Sequence, residues 1–174
     1  MAPVDAVPDV VVMGKPIGNG HPLAAVVTRR AIADAFDNGM EFFSTFGGST
    51  LSCAIGMKVL EITRRDHLQE HAESTGATLL DELHHLKLRH PLIGDVRGSG
   101  LFLGVELVED PETHAPAPDK ASRIVNELKD AGILIGTDGP HHNVLKIRPP
   151  LPFDQDNAAQ LASALDRILE RIDS

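Results

Sequence analysis

An α/β fold is predicted by two patterns that recur along this chain of 174 residues. The segment 93–108 carries apolar residues at every second position between glycines, which is typical of a strand pair or a bent strand. The segments 66–90, 119–131 and 154–172 carry apolar residues at helical spacing instead. A helix flanked by strands favours an α/β domain.

The composition indicates a globular, acidic protein. Apolar residues make up 42% of the chain, enough for one domain or for two small ones. Sixteen basic residues against 25 acidic ones give a formal net charge of −9, and the basic residues are scattered, so we expect no nucleic-acid partner. No apolar run approaches the roughly 20 residues of a membrane span, so we expect no membrane partner. The single cysteine, Cys53, excludes an internal disulfide and favours a cytoplasmic location.

The stretch 10–22, VVVMGKPIGNGHP, contains the first candidate for chemistry. Its β-branched run predicts a buried strand, and the strand delivers Lys15 at its end. The residues after the lysine predict a loop that cannot be helical, punctuated by Pro16, Gly18, Gly20 and Pro22. A solvated lysine at a strand end is the alternative interpretation of these residues. A P-loop is rejected, because its glycines precede the lysine and a Ser or Thr follows it, whereas Pro16 follows here.

The next elements are predicted by periodicity and capping residues. A short buried strand over 23–27 leads to a helix over 28–37 that Thr28 caps. The segment 42–48 is expected to form an extended turn that ends in glycine. After it, the pair Ser49-Thr50 is placed to cap a helix over 51–64, whose apolar character on nearly all sides predicts deep burial.

The second half of the chain is expected to form a smaller domain. A helix over 66–90 stops at Pro91 and carries the chain into this domain. Further elements follow in order: a surface loop over 109–118, a helix capped by Asp119 and ended by Gly132, a strand over 133–135, a last strand over 144–148 and a docking helix over 154–172. We expect the turn with His141 and His142 to be exposed, without a catalytic role.

A metal site is not expected. His67 and His71 are one helical turn apart, which invites a metal hypothesis. No carboxylate or cysteine partner stands out near them, and solvated histidines on an amphipathic helix need no special role.

Four blocks carry a family resemblance: PDVVVMGKPIGNGHPLAAVVT, FFSTFGGSTLSCAIGMKVLE, IGDVRGSGLFLGVELV and NVLKIRPPLPF. In this order they resemble the class III, or omega, aminotransferases of fold type I, which use pyridoxal phosphate. The resemblance implies two parts, the end of the large cofactor-binding domain over 1–65 and the small C-terminal α/β domain over 66–174. The glycine/serine phosphate loop, the stacking aromatic residue and the aspartate of the family's N-terminal half are not found here. We therefore expect the chain to be the C-terminal half of such a protein.

The resemblance also implies roles for three residues of the first part. Lys15 would be the catalytic residue, which binds the cofactor as a Schiff base and moves a proton at the substrate Cα. Thr45, which precedes an aromatic-Gly-Gly sequence, would reach the cofactor phosphate of the other subunit of a homodimer, and Ser44 beside it is a further cofactor-binding candidate. From the residues alone, ordinary turn chemistry is the alternative for Ser44 and Thr45. The chain has Gly-Gly-Ser-Thr where the family usually has Gly-Gly-Asn-Pro.

Arg148 is the candidate for substrate binding. It ends the last predicted strand, and the two prolines that follow fix the backbone, so its guanidinium could bind a carboxylate through two parallel hydrogen bonds. A surface ion pair is the alternative. In the resembled family an arginine here binds the α-carboxylate of the amino acid. The KIRPPL context is most similar to the subgroup of alanine–glyoxylate aminotransferase-like proteins and phospho-lyases acting on phosphorylated amines.

The function implied by the resemblance is amino transfer from an amino acid or amine to a 2-oxo acid, both small molecules. A lysine at a strand end, or deprotonation at the substrate Cα, does not separate this activity from a phospho-lyase. Arg148 favours transamination, because the ethanolamine phosphate lyase and its relatives carry lysine at that position. A catalytically inactive fragment is the third hypothesis, since half of the family's cofactor site is not found here. A sequence with no Trp, no Tyr and six Phe also has few rings to hold a cofactor. The hypothesis of an inactive fragment predicts exposed apolar surface and self-association.

Overall fold

The computed structural model describes residues 7–173, of which residue 173 is described by its backbone alone. Its contacts divide the chain into two compact units, Met1–His67 and Leu68–Ser174. The first six residues of the predicted first domain lie outside the described residues. None of the helices described in 7–173 combines the length and the hydropathy that a transmembrane span requires.

The N-terminal unit contains a hairpin, a single 3₁₀ turn and two helices. Strand β1 (Val10–Met13) pairs antiparallel with β2 (Ala25–Thr28), from Val10 opposite Thr28 to Met13 opposite Ala25. The elements are β1 (Val10–Met13), the 3₁₀ helix (Lys15–Gly18), β2 (Ala25–Thr28), α1 (Arg30–Phe36) and α2 (Thr50–Arg65). The prediction of a loop that cannot be helical is therefore wrong at the 3₁₀ turn. Pro16 lies in the first turn, where a helix needs no N–H donor and the fixed φ of proline suits it.

The predicted burial of this unit is also wrong. Val12 and Val26 of the hairpin are 74% and 65% exposed. Helix α2 has no buried residue, and Leu51 in its first turn is 65% exposed. A hydrophobic pattern identifies a segment that can be buried, whereas burial itself requires a neighbouring element to cover it. A two-stranded hairpin and a seven-residue helix offer little such cover within the unit.

The predicted side-chain cap is present on α2 and absent from α1. Ser49 caps α2 as predicted, since its Oγ accepts a hydrogen bond from the backbone N–H of Ser52 at 3.4 Å. Thr28 does not cap α1, which begins after Arg29 without a side-chain cap. Thr28 is the last residue of β2, and its Oγ1 donates to the backbone oxygen of Asp9 at 2.8 Å instead. The hydroxyl is therefore engaged by the residue before β1, and α1 begins two residues after Thr28.

The C-terminal unit is an antiparallel sheet with helices packed on it. The strands follow the order β3 (Ile93–Ser99), β4 (Phe102–Asp110), β7 (Val144–Ile147) and β6 (Gly136–Asp138), and the short β5 (Ala115–Pro116) pairs with β4. The elements are α3 (Leu68–Arg89), β3 (Ile93–Ser99), β4 (Phe102–Asp110), β5 (Ala115–Pro116), α4 (Pro118–Asp130), β6 (Gly136–Asp138), β7 (Val144–Ile147) and α5 (Gln155–Asp173).

One continuous core joins the sheet to its three helices, as the periodicities predict. Strand β4 buries every second side chain from Leu103 to Leu107. The helices contribute fully or almost fully buried residues at helical spacing: Leu79, Leu83 and Leu86 from α3, Ile124 and Leu128 from α4, and Leu161, Leu165, Ile168 and Leu169 from α5. The predicted α/β character of this part is confirmed.

Three boundaries in this unit differ from the prediction. The segment 109–118 includes a short strand, β5, and Pro118 rather than Asp119 opens α4. Residues 133–135 are not a strand, and β6 begins only at Gly136. The N–H of Ile133 donates to the carbonyl of Leu128 at 2.8 Å, which satisfies the end of α4 after the predicted turn at Gly132, whose φ is +83°. That N–H is therefore committed to the helix end.

Candidate functional site

Lys15 lies where β1 ends and the chain turns. Gly14 is extended, and Lys15 then adopts φ +50°, a left-handed conformation that is uncommon for a residue with a side chain. Its side chain is exposed, and no acidic group of the described residues forms an ion pair with it. The structure thus presents a free primary amine on a backbone that only its surroundings hold in place.

The loop around Lys15 is closed by short-range hydrogen bonds. The N–H of Asn19 donates to the carbonyl of Pro16 at 2.8 Å, and that of His21 donates to the carbonyl of Gly18 at 3.1 Å. Gly18 is buried, and a Cβ there would lie 3.0 Å from the Cβ of Leu23. A larger residue at 18 would therefore push the loop away from the segment that follows it.

The pair Ser44 and Thr45 lies in the turn that precedes α2. The Oγ of Ser44 accepts a hydrogen bond from the N–H of Gly47 at 3.0 Å, so this hydroxyl shapes its own turn. Gly47 fits because a Cβ at that position would lie 2.8 Å from Ser44 Oγ. Thr45 is exposed, and its hydroxyl has no hydrogen-bond partner among the described residues. No hydrogen bond within the described part of the unit joins Lys15 to either residue.

Arg148 belongs to the C-terminal unit and directly follows β7. It is exposed and has no ion-pair partner in the part of the chain that the structure describes. It lines an open cleft of about 620 Å³ together with Lys146, Leu134 and Phe153. Lys146 contacts Asp138 at 2.5 Å, and this hydrogen bond holds the pKa of the Asp138 carboxyl below its ordinary value. Of the two cations along the cleft, Arg148 is the one available to a carboxylate.

A contact that the sequence analysis missed links the Lys15 loop to α2. The Nε2 of His21 lies 2.9 Å from the Oγ of Ser52, and both side chains are half-buried. The two residues are 31 positions apart, so no local pattern relates them. The only sequence signal is a histidine between the glycines and the proline of the loop.

No group of three or more potential metal ligands is arranged around one point in residues 7–173. His71, part of the weighed metal hypothesis, lies with its Nε2 2.9 Å from the carbonyl of Phe153. The histidine thus has an internal partner.

Comparison with known proteins identifies the family to which this chain is related. The family model described as aminotransferase class-III matches residues 1–169. Two curated relatives are each 44% identical to the chain. One is the ethanolamine-phosphate phospho-lyase homolog 1 of Caenorhabditis elegans, with 93% of this chain and 35% of the relative covered. The other is the mitochondrial alanine–glyoxylate aminotransferase 2 homolog 2 of Arabidopsis thaliana, with 97% and 35% covered.

Solved structures show the same relationship. A phospholyase from Arthrobacter, in complex with phosphoethanolamine, superimposes with a TM-score of 0.90 at 38% identity over 95% of this chain and 39% of that one. An amine transaminase from an uncultivated Pseudomonas species in its PLP-bound form gives 0.83 at 34% identity, over 94% and 38%. The chain spans about a third of the length of the curated relatives it matches. The fold prediction is confirmed, and the chain belongs to the class III aminotransferase family.

Proposed function

We propose that this chain takes part in pyridoxal-phosphate-dependent amino transfer from an amino acid or amine to a 2-oxo acid. The observation that carries the proposal is Lys15, an exposed primary amine without an ion-pair partner among the described residues, at the end of a strand inside the matched family region. The class III family implies pyridoxal phosphate as the cofactor. The PLP-bound transaminase structure supports the same choice.

The residues present suit this cofactor. The Lys15 amine can react with an aldehyde, and the free hydroxyl of Thr45 lies in the turn directly before α2, where a phosphate is favourably placed. Pyridoxal phosphate supplies, when bound, an electron sink for negative charge at the substrate Cα. Lys15 Nζ would be the group that accepts the proton from the substrate Cα and returns it. Ser44 orders the turn through its hydrogen bond from Gly47, which leaves Thr45 to bind the phosphate of the cofactor held by the second subunit.

Arg148 is proposed to bind the substrate carboxylate. Its guanidinium is unpaired in the described structure, whereas Arg97 is engaged by Asp95 and Glu106 at 2.6 and 2.7 Å. A free, planar guanidinium favours two parallel hydrogen bonds to a carboxylate. This residue therefore points to substrates that carry a carboxyl group.

The test is visible absorption of the purified protein with pyridoxal phosphate, followed by borohydride reduction and peptide mapping. We expect an absorption band and a label confined to Lys15, and we expect Lys15→Ala to abolish both. Lys58→Ala is the matched control, since Lys58 is ion-paired with Glu61 at 2.7 Å on α2. A missing band, or a label spread over many lysines, would instead favour the hypothesis that this chain is catalytically inactive.

Phospho-lyase activity is the second candidate, favoured by the two phospho-lyase relatives, at 44% and 38% identity. The two activities differ in their products. A lyase releases inorganic phosphate from a phosphorylated amine, whereas a transaminase consumes a 2-oxo acid without releasing phosphate. We expect Arg148→Ala to raise KM for a carboxylate-bearing donor about tenfold or more, and to leave KM for a donor without a carboxylate unchanged. Equal effects on both donors would remove Arg148 from the role.

A homodimer is proposed as the working assembly, because the resemblance assigns Thr45 to the cofactor of a second subunit. A cytoplasmic location is proposed from the single cysteine. Sedimentation of the cofactor-loaded protein checks the first proposal, and microscopy of the tagged protein checks the second.

A further inference from the structure

We propose that His21 and Ser52 are a positioning pair that holds the Lys15 loop on helix α2. The inference rests on the proposed role of Lys15 and adds residues that no sequence pattern singled out. Both residues lie in the N-terminal unit, and their side chains meet at 2.9 Å between Nε2 and Oγ. This contact is the one side-chain hydrogen bond between the loop and α2 among the described residues.

The loop needs such a contact because of its backbone. Lys15 and Asn19 both have positive φ, at +50° and +47°, and neither is a glycine. Such a left-handed conformation is uncommon outside glycine and persists only where its surroundings hold it. At its base, the loop is held by the pairing of Met13 with Ala25 in the hairpin. At its far side, His21 ties it to α2 through a side-chain hydrogen bond.

Packing supports the same attachment. Leu23, two residues after His21, lies so close to α2 that a Cβ on Gly56 would be 2.8 Å from its Cδ2. The hydrogen bond and the Leu23 contact are one helical turn apart on α2, since Ser52 and Gly56 differ by four positions. Two neighbouring contacts on one helix face restrict both the position and the rotation of the loop.

Ser52 also connects the loop to the start of α2. Its backbone N–H is the donor that the Ser49 cap accepts, while its side chain holds His21. The turn with Ser44 and Thr45 leads directly into this cap. The pair therefore links the segment that carries the proposed reactive amine to the segment that carries the proposed phosphate-binding hydroxyl. Neither His21 nor Ser52 is assigned contact with cofactor or substrate.

The first test uses amide hydrogen exchange of the 174-residue chain without cofactor, so its outcome does not depend on the proposed activity. We expect Ser52→Ala to speed exchange of the Asn19 and His21 amides about fivefold, as expected for loss of one hydrogen bond from a local opening equilibrium. Thr63→Ala is the matched control, because the Thr63 hydroxyl donates to the Val59 carbonyl at 2.8 Å, a hydrogen bond within α2. Equal exchange in the two variants would overturn the proposal.

The second test separates positioning from general stability. Limiting reductive methylation, read by mass spectrometry, gives the ratio of modification at Lys15 to that at Lys58. We expect this ratio to change at least twofold in Ser52→Ala and to return to the wild-type value in Ser52→Thr, which keeps the hydroxyl. An unchanged ratio, or no recovery in Ser52→Thr, contradicts the proposal. If wild type fails to bind pyridoxal phosphate while both tests succeed, the proposed function fails and the positioning pair stands.

Discussion

Helices α2 and α3 follow one another in the sequence and differ completely in burial. Helix α2 has 16 residues and buries none of them, whereas α3 has 22 residues and buries five. Both contain apolar residues at helical spacing. The difference is that α3 packs within its unit on a sheet of paired strands, while the only sheet that the structure describes in the N-terminal unit is an exposed hairpin. An amphipathic helix thus has a face that can be buried, and it becomes buried only where a neighbouring element covers it.

The largest effect is expected from matched leucine truncations in the two units. Leu83→Ala in α3 removes a fully buried side chain and should lower the free energy of unfolding by about 3 kcal/mol. Leu60→Ala in α2, where the side chain is 50% exposed, should change it by less than about 0.5 kcal/mol. Far-UV circular dichroism in urea measures both, since the chain has no Trp or Tyr for fluorescence. Equal losses would contradict the difference in burial between Leu60 and Leu83.

Substitution of a glycine at the contact between α3 and the β3–β4 turn should lower the free energy of unfolding nearly as much as Leu83→Ala. A Cβ on Gly76 would lie 2.0 Å from the backbone oxygen of Gly100, and backbone cannot rotate out of the way. We expect Gly76→Ala to cost about 2–3 kcal/mol and to speed amide exchange in β3 and β4. Gly136→Ala is the control, because its Cβ would meet no atom within 4 Å. A tolerated Gly76→Ala would mean that α3 can move away from the turn.

An ion pair between α3 and α5 gives the C-terminal unit a pH dependence. Asp166 lies 2.7 Å from His90 and 2.9 Å from Arg89. Burial raises the pKa of the Asp166 carboxyl, but the hydrogen bonds from His90 and Arg89 outweigh it and hold the pKa below 3.8. Because the pKa is lower in the folded state, the ionised carboxylate stabilises the fold at pH values above 3.8. This contribution is lost as the pH falls through the lower pKa of the folded state.

Removal of this carboxylate should therefore matter at neutral pH and little in acid. We expect Asp166→Ala to cost about 2 kcal/mol at pH 7, and the difference from wild type to shrink as the pH falls below 3.8. Urea unfolding at a series of pH values measures the trend. Asp81→Ala is the control, since Asp81 lies 3.8 Å from the exposed His85 and should cost less than about 0.5 kcal/mol. A penalty for Asp166→Ala that does not vary with pH would contradict the argument.

The smallest expected effect concerns association. Phe42, Phe43 and Phe46 of the N-terminal unit are 74–85% exposed within five residues of one another. Clustered exposed aromatic residues promote self-association, so replacing all three by Ser should shift sedimentation at high concentration toward smaller species. Leu88→Ser and Leu134→Ser, at isolated leucines that are each 84% exposed in the C-terminal unit, should leave it unchanged. A shift in the controls alone would place the associating surface in the other unit.

The candidate site was predictable to the extent that it is local. Lys15 at a strand end and Arg148 before two prolines follow from short patterns, and the structure places both where those patterns put them. Their roles stay predictions. The contact of His21 with Ser52 was not predictable, because residues 31 positions apart meet only when loop and helix pack.

The sequence by itself determined the order and type of most elements, because hydrophobic periodicity, glycine and proline act through neighbouring residues. It predicted α3, the β3–β4 pair, the Gly132 turn and α5 in this way. Tertiary structure decided what such patterns do not contain. It left β1 and α2 exposed, directed the Thr28 hydroxyl to Asp9, and moved the strand expected at 133–135 to Gly136–Asp138. In each case the outcome depended on a partner atom or surface supplied by another part of the chain.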